Sequence, residues 1–258
     1  MSVEYASLRP ADLFDLSGRT ALVTGGSRGI GASVVRGYAA AGADVIIVSR
    51  KREACEMVAE EVRETTGRRA WAIAANVSLW EECDRLIDEA YASAGQIDIL
   101  VNNAGSSPLY PDLRSITQAY YDKVHGLNAR GPFRLATVVG ARMHEQDGGS
   151  IINVSTVGSL RAGAHELVYA MAKAGMNQLT QGLVDAYAPR VRANTVLPGA
   201  FATDIAKQAR WLTGDEQLAK IGQPDEMVGI CLYLASDAAS YTNGALIEVS
   251  RAGWRRTV

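Results

Sequence analysis

The chain has 258 residues, of which 48% are hydrophobic and 21% charged, and its formal net charge is −2. That length allows one large α/β domain or two small ones. The near-neutral charge does not favour a nucleic-acid partner, and no apolar run reaches the ~18 residues of a membrane-spanning helix. Residues 1–16 contain several charges and no apolar run, so we interpret them as an N-terminal extension rather than a secretory signal.

Three cysteines lie far apart in the sequence, at Cys55, Cys83 and Cys231. This spacing fits neither a disulfide framework nor a zinc-ligand cluster. We therefore expect buried, reduced thiols, no metal site and a cytoplasmic setting.

Strand-like and helix-like segments alternate along most of the chain. Short apolar runs rich in β-branched residues predict seven strands, and amphipathic stretches between them predict helices. No repeat, low-complexity tract or linker divides the chain. The pattern predicts one domain, residues 1–258, with a doubly wound Rossmann-type parallel sheet covered by helices on both faces. The predicted strands are Thr20–Thr24, Asp44–Val48, Arg69–Ala75, Ile97–Val101, Ser150–Val154, Val191–Leu197 and Ala245–Val249.

A glycine-rich turn, TGGSRGIG at residues 24–31, follows the first predicted strand and opens a helix. In this context glycines permit a tight turn and let the backbone approach a pyrophosphate at the helix N-terminus. A lone glycine cluster would be a simple turn, but strand and helix flank this one. The turn predicts dinucleotide binding by Gly25, Ser27, Arg28, Gly29, Ile30 and Gly31.

The residues at the two ends of the second predicted strand indicate whether the cofactor is NAD or NADP. An acidic residue ~20 positions after the glycines holds the ribose of NAD, and counting alone lands on Asp44. Asp44 begins its strand, however, about 15 Å from the carboxyl end where ligands bind. That end carries a cluster of basic residues, which suits the 2′-phosphate of NADP. Within this cluster, Lys51 or Arg52 can instead lie on a solvated helix face. We expect NADP(H), held there by Ser49 and Arg50 with Arg28 nearby.

Tyr169 and Lys173 lie four residues apart in a predicted helix, so their side chains share one face. A lysine ammonium beside a phenol lowers its pKa, which would make Tyr169 a general acid or base. The pair alone is weak evidence, because this spacing is frequent on exposed helices. Ser155 ends the fifth predicted strand, so it can meet Tyr169 above the sheet edge. Asn128 lies inside a helical stretch, where asparagine is unfavourable unless its side chain has a bonding or capping role.

These motifs together resemble the classical type of the short-chain dehydrogenase/reductase family, over about Ser17 to Gly253. Residues 24–31 resemble its cofactor loop, and Asn102-Asn103-Ala104-Gly105 its adenine-side motif. The resemblance implies a catalytic tetrad in which Tyr169 protonates the substrate oxygen and Ser155 hydrogen-bonds the carbonyl. Lys173 would hold the nicotinamide ribose and lower the pKa of Tyr169, and Asn128 would anchor a proton-relay water. Implied cofactor contacts also include Asn76, Val77, Asn102, Ala104, Gly105, Tyr169, Lys173, Pro198, Gly199 and Thr203.

The sequence departs from the family pattern in four places. Asn76 replaces an aspartate, and we expect its oxygen still to accept from the adenine amino group. The segment from Ser155 to Tyr169 is one residue longer than is typical. The stretch between Thr203 and Pro224 is shorter, and residues 249–253, VSRAG, replace the usual VDGG. We interpret residues 200–222 as a substrate lid, with an ordinary surface helix as the alternative.

The resemblance predicts an NADPH-dependent carbonyl reductase for a small-molecule substrate. Within the family, the sequence is most similar to the 3-oxoacyl thioester reductases. The resemblance also implies a homotetramer or homodimer with neither a nucleic-acid nor a membrane partner. Two alternatives stay open. The first is an alcohol, sugar or steroid dehydrogenase that uses NAD(P). The second is a non-catalytic NADP-binding protein, which would have no need of Tyr169 and Lys173 together.

Overall fold

The computed structural model describes residues 9–203 and 221–251. Seven strands form one sheet in the order β3-β2-β1-β4-β5-β6-β7, and each neighbouring pair is parallel. The predicted fold class is confirmed. The strands are β1 (Thr20–Thr24), β2 (Asp44–Ser49), β3 (Ala70–Ala74), β4 (Ile99–Asn102), β5 (Gly149–Val154), β6 (Val191–Pro198) and β7 (Leu246–Val249).

Helices cover both faces of the sheet because side chains alternate along each buried strand. Ala21 and Val23 of β1 face one core, and Leu22 faces the other. The first core contains α2, α3 and α8, and the second contains α4, α6 and α7. The helices among the described residues are α1 (Pro10–Leu13), α2 (Gly29–Ala40), α3 (Arg52–Thr66), α4 (Trp80–Ala94), α5 (Gln118–His125), α6 (Gly131–Glu145), α7 (Leu167–Tyr187) and α8 (Val228–Ala235).

A π-helical turn, Gly126–Arg130, separates α5 from α6. Helix α6 begins at Gly131 with Pro132 in its first turn, where a missing N–H does no harm. A Cβ atom on Gly131 would lie 1.9 Å from the carbonyl oxygen of Val77, so only glycine fits where this helix crosses the loop after β3. The turn carries Asn128, and such turns are frequent at functional sites.

The carboxyl ends of the strands meet at one edge of the sheet. Chain order reverses beside β1, whose neighbours are β2 and β4, and this reversal opens a crevice at that edge. The loops after β1, β2, β4, β5 and β6 all lie there. Most of the predicted site residues come from these loops, so the topology brings distant parts of the sequence together.

Several other predictions concern single segments or side chains. All three cysteines are buried and unpaired, as predicted. Within residues 9–203 and 221–251, no helix has the length and apolar character to cross a membrane, and no side-chain group could hold a metal ion. Residues 204–220 of the predicted lid and 1–8 of the predicted extension lie outside the described residues.

Candidate active site

The glycine turn between β1 and α2 is packed so closely that side chains are excluded. Gly25 and Gly29 have φ values of 68° and 53°, which disfavour residues with a Cβ atom. A Cβ on Gly31 would lie 2.2 Å from the carbonyl oxygen of Gly25. The 12-residue helix α2 therefore presents its N-terminus at the crevice behind a close-packed glycine turn, which suits an anionic pyrophosphate.

Thr24 and Asn103 brace this turn, and sequence analysis did not single them out. The backbone N–H groups of Asn103 and Ala104 donate to Thr24 Oγ1 at 3.0 and 3.1 Å, and Asn103 Nδ2 donates to the Thr24 carbonyl at 2.9 Å. Asn102 turns the other way, is 1% exposed, and donates through Nδ2 to Asn153 Oδ1. The predicted cofactor contact of Asn102 is therefore restricted to its backbone.

Asp44 lies at the end of β2 remote from the crevice, as the strand geometry predicts. Its buried carboxylate pairs with Arg68 at 2.8 Å and with Arg69 at 2.7 Å, so it is not a ribose ligand. At the crevice end, Arg50 is exposed and makes no ion pair or hydrogen bond within the part of the chain described. Ser49 is only half-buried, and its Oγ lies 3.0 Å from the Cys55 sulfur.

Asn76 does not present the free oxygen that we expected for an adenine amino group. Its Oδ1 already accepts hydrogen bonds from the backbone N–H of Ser78 at 3.3 Å and from Ser78 Oγ at 2.8 Å. These bonds form a local turn that competes with ligand contact. Val77 beside it is buried, and its carbonyl oxygen lies between the Cys83 thiol and Gly131.

Lys173, Asn128 and Gly105 lie close together at the crevice edge of the sheet. Lys173 is 1% exposed, and its Nζ donates to the carbonyl oxygen of Val154 at 2.7 Å. Asn128 is anchored to the loop after β4, since it accepts from Ser106 N at 3.2 Å and donates to Ser106 O at 2.9 Å. A Cβ on Gly105 would lie 3.0 Å from Asn128 Oδ1 and 3.5 Å from Lys173 Nζ.

The expected effect of Lys173 on Tyr169 is not found. The ring centroid of Tyr169 lies 5.9 Å from Lys173 Nζ, and the lysine is aimed at Val154. Burial raises the pKa of Tyr169, and the Glu166 carboxylate raises it further. Burial also lowers the pKa of Lys173 to about 7, so its positive charge is only partial at neutral pH. The prediction of a lowered Tyr169 pKa is wrong, because desolvation outweighs a distant, half-charged amine.

The prediction that the Ser155 hydroxyl faces a substrate also conflicts with the structure. Ser155 is 3% exposed, and its Oγ donates to the backbone carbonyl of Lys173 at 3.0 Å, inside the packing between β5 and α7. Thr156, which was missed, is half-buried and opens the short turn Val157–Ser159, where its Oγ1 accepts from Gly158 N at 3.3 Å. One signal pointed to Thr156. The segment that ends at Tyr169 is one residue longer than is typical when it is counted from Ser155, and it has the typical length when it is counted from Thr156.

The loop after β6 folds back onto the glycine turn. Gly199 N donates to the Val249 carbonyl at 2.9 Å and extends the β6–β7 pairing beyond Pro198. Further along, Thr203 Cγ2 would lie 3.3 Å from a Cβ on Gly29. The loop after β6 and the glycine turn, which come from opposite halves of the chain, therefore lie side by side at the sheet edge. A glycine cradle and an open helix N-terminus at the crevice fit a dinucleotide.

Comparison with known proteins decides the family. Residues 19–211 match the family model described as short chain dehydrogenase. The chain belongs to the short-chain dehydrogenases. This membership agrees with the crevice geometry and establishes the coarse activity class, oxidoreductases that use a nicotinamide cofactor.

Relatives in this family act on different substrates. L-rhamnose 1-dehydrogenase (NAD(P)(+)) of Azotobacter vinelandii is 36% identical over 244 residues, which cover 90% of this chain and 94% of that protein. The 3-oxoacyl-[acyl-carrier-protein] reductase of Aquifex aeolicus is 32% identical, covering 91% and 97%. Among solved structures, gluconate 5-dehydrogenase of Burkholderia cenocepacia in complex with NADP and tartrate is 33% identical, with a TM-score of 0.85 and coverage of 93% and 97%.

Proposed function

We propose that this short-chain dehydrogenase uses NADPH to reduce a carbonyl compound to the corresponding alcohol. The observation that carries the proposal is the meeting of Tyr169 and Lys173 with Asn128 and Gly105 beneath a glycine-lined crevice. Bound NADPH supplies a hydride to the carbonyl carbon. The protein supplies a proton, an orientation for the carbonyl and a site that positions both reactants. Assembly into homotetramers or homodimers stays a prediction.

Tyr169 is the proposed general acid. Because burial raises its pKa, the phenol keeps its proton at neutral pH, which is the state that an acid needs during reduction. The alkoxide that develops on the substrate is more basic than a phenolate, so proton transfer from Tyr169 is downhill. For the same reason, the phenolate that alcohol oxidation would need as a base is scarce at neutral pH.

Thr156 is the proposed donor to the carbonyl oxygen, in place of Ser155. Its side chain leaves the end of β5 at the crevice edge, whereas the Ser155 hydroxyl is engaged by α7. A hydroxyl aimed at the oxygen stabilises the charge that grows there during hydride transfer. Threonine and serine offer the same donor, so the chemistry attributed to Ser155 needs no change.

Lys173 and Asn128 are proposed to position the cofactor ribose and to replenish the proton. A lysine with a pKa of about 7 exchanges protons readily near neutral pH, which suits a relay between Tyr169 and solvent. Asn128 is held by two hydrogen bonds to Ser106, so its backbone at the π-helical turn is rigidly presented. We propose that this turn anchors the water through which the relay continues.

Arg50 is proposed to select NADPH by pairing with the 2′-phosphate. We expect Arg50→Ala to weaken NADPH binding by roughly tenfold to a hundredfold, since one charge-assisted contact to phosphate is lost. NADH, which lacks that phosphate, should lose less than about threefold. Fluorescence titration of both cofactors against wild type and variant measures the difference. Equal losses for the two cofactors would refute the assignment of Arg50.

A panel assay tests the proposed activity itself. NADPH absorbance is followed with an acetoacetyl thioester, L-sorbose, 5-keto-D-gluconate and a ketosteroid, which represent the substrate classes of the family. We expect turnover of at least one class at a rate ~100-fold or more above that of a Tyr169→Phe variant. Tight NADPH binding with no turnover of any class would favour the non-catalytic alternative.

A further inference from the structure

Glu166 is an acidic residue in the proposed site to which the mechanism assigns no task. It is half-buried directly before α7, three residues before Tyr169. Within the described ranges no ion pair joins its carboxylate to a lysine, arginine or histidine, and its side chain makes no capping hydrogen bond. A substrate that displaces water from this half-buried carboxylate must offer hydrogen-bond donors in its place, because a desolvated charge without a partner is costly.

Glu166 adjoins the two elements that carry the groups proposed to contact the substrate oxygen, Tyr169 on α7 and Thr156 before the turn Val157–Ser159. Glu166 is the N-cap residue of α7, and Tyr169 follows it in the first turn of the helix. Glu166 also acts electrostatically on the Tyr169 phenol. Its Oε1 would lie 2.8 Å from a Cβ on Gly158, so it packs against bare backbone in the turn that Thr156 opens.

Two features hold Glu166 in this position. The Tyr110 hydroxyl donates to the Ala164 carbonyl and accepts from Leu167 N at 2.8 Å, which fixes the backbone on both sides of Glu166. The Tyr110 ring in turn packs edge-on against Tyr120 at 5.5 Å. The N-terminus of the 21-residue helix α7 favours a negative charge beside it, where Glu166 lies.

We propose that Glu166 accepts hydrogen bonds from substrate hydroxyl groups and makes the site selective for neutral polyhydroxylated carbonyl compounds, such as ketoses and aldoses. The inference rests on the proposed carbonyl reduction and names its substrate class. A carboxylate only accepts hydrogen bonds, so it favours hydroxyl-rich ligands and repels a nearby carboxylate or phosphate. A 3-oxoacyl thioester brings an apolar chain and acceptor oxygens, which would leave Glu166 without a donor in a desolvated site.

A matched pair of substrates tests the inference. L-Sorbose and 5-keto-D-gluconate present the same ketone, but the second carries a carboxylate where the first carries a terminal hydroxymethyl group. We expect wild type to have the higher kcat/KM for L-sorbose. Glu166→Gln removes the charge and keeps the shape, and should shift the ratio of the two kcat/KM values toward 5-keto-D-gluconate by about tenfold.

The control is Asp185→Asn, which makes the same charge change on an exposed residue near the far end of α7. We expect it to leave the ratio unchanged, and circular dichroism should show all variants folded. An unchanged ratio in Glu166→Gln would overturn the role of Glu166. So would a wild type that reduces acetoacetyl thioesters but neither sugar derivative, although carbonyl reduction itself would then stand. No turnover of any carbonyl by wild type would instead defeat the proposed function.

Discussion

Tyr169→Phe is expected to lower kcat/KM for carbonyl reduction by about a thousandfold, because the variant retains the ring and loses the only proton donor proposed for the substrate oxygen. The Tyr169 hydroxyl makes no hydrogen bond within the described residues, so its removal should leave the thermal midpoint of unfolding almost unchanged. Steady-state assays with NADPH and the best substrate of the panel measure the loss.

The control for this variant is cofactor affinity. NADPH binding should change by less than about threefold, since the phenol contributes little to a cofactor held at the glycine turn and at Arg50. A variant that keeps full activity would remove Tyr169 from the mechanism. A variant that loses activity together with NADPH binding would show a role in binding instead of proton transfer.

Thr156→Ala is expected to lower kcat by about a hundredfold or more, as the loss of one hydrogen-bond donor to a developing oxyanion does in other enzymes. Ser155→Ala, one position away, should reduce kcat only a few-fold. The Ser155 hydroxyl bonds to the Lys173 carbonyl, and its loss should cost about 1 kcal/mol in the free energy of unfolding. The pair of variants separates a substrate contact from a packing contact.

Thr156→Ser serves as the rescue variant. It keeps the hydroxyl and its bond from Gly158 N, so we expect activity within a few-fold of wild type. Steady-state kcat and chemical denaturation should be measured for all three variants. If Ser155→Ala abolishes turnover and Thr156→Ala does not, the original assignment of Ser155 is correct.

Much of the fold follows from local patterns. The alternation of β-branched runs and amphipathic stretches predicts seven strands and the helices between them, because periodicity of burial is already present in neighbouring residues. The glycine turn was identifiable because Gly25, Gly29 and Gly31 stand between a strand and a helix. The remote position of Asp44 followed from the length of β2 alone. These features depend on at most a few dozen consecutive residues.

The direction of each side chain at the crevice depended on tertiary packing. Adjacent residues at the end of β5 point to different sides of the sheet. The Ser155 hydroxyl therefore bonds to α7, whereas the side chain of the next residue, Thr156, is half-buried at the crevice edge. The side-chain oxygen of Asn76 accepts a hydrogen bond from Ser78, two residues away, and this local bond competes with a bond from a ligand.

By itself, the sequence determined the type and order of the elements, the family and the end of the sheet at which we propose the site. Only the tertiary structure decided the charge states and neighbours of the reactive groups. Burial raises the pKa of Tyr169 and lowers that of Lys173 to about 7, whereas spacing alone predicted a lowered tyrosine pKa. The approach of Glu166 to Gly158 joins two segments of the chain. Desolvation and such contacts depend on every element packed around a group, and no local pattern records them.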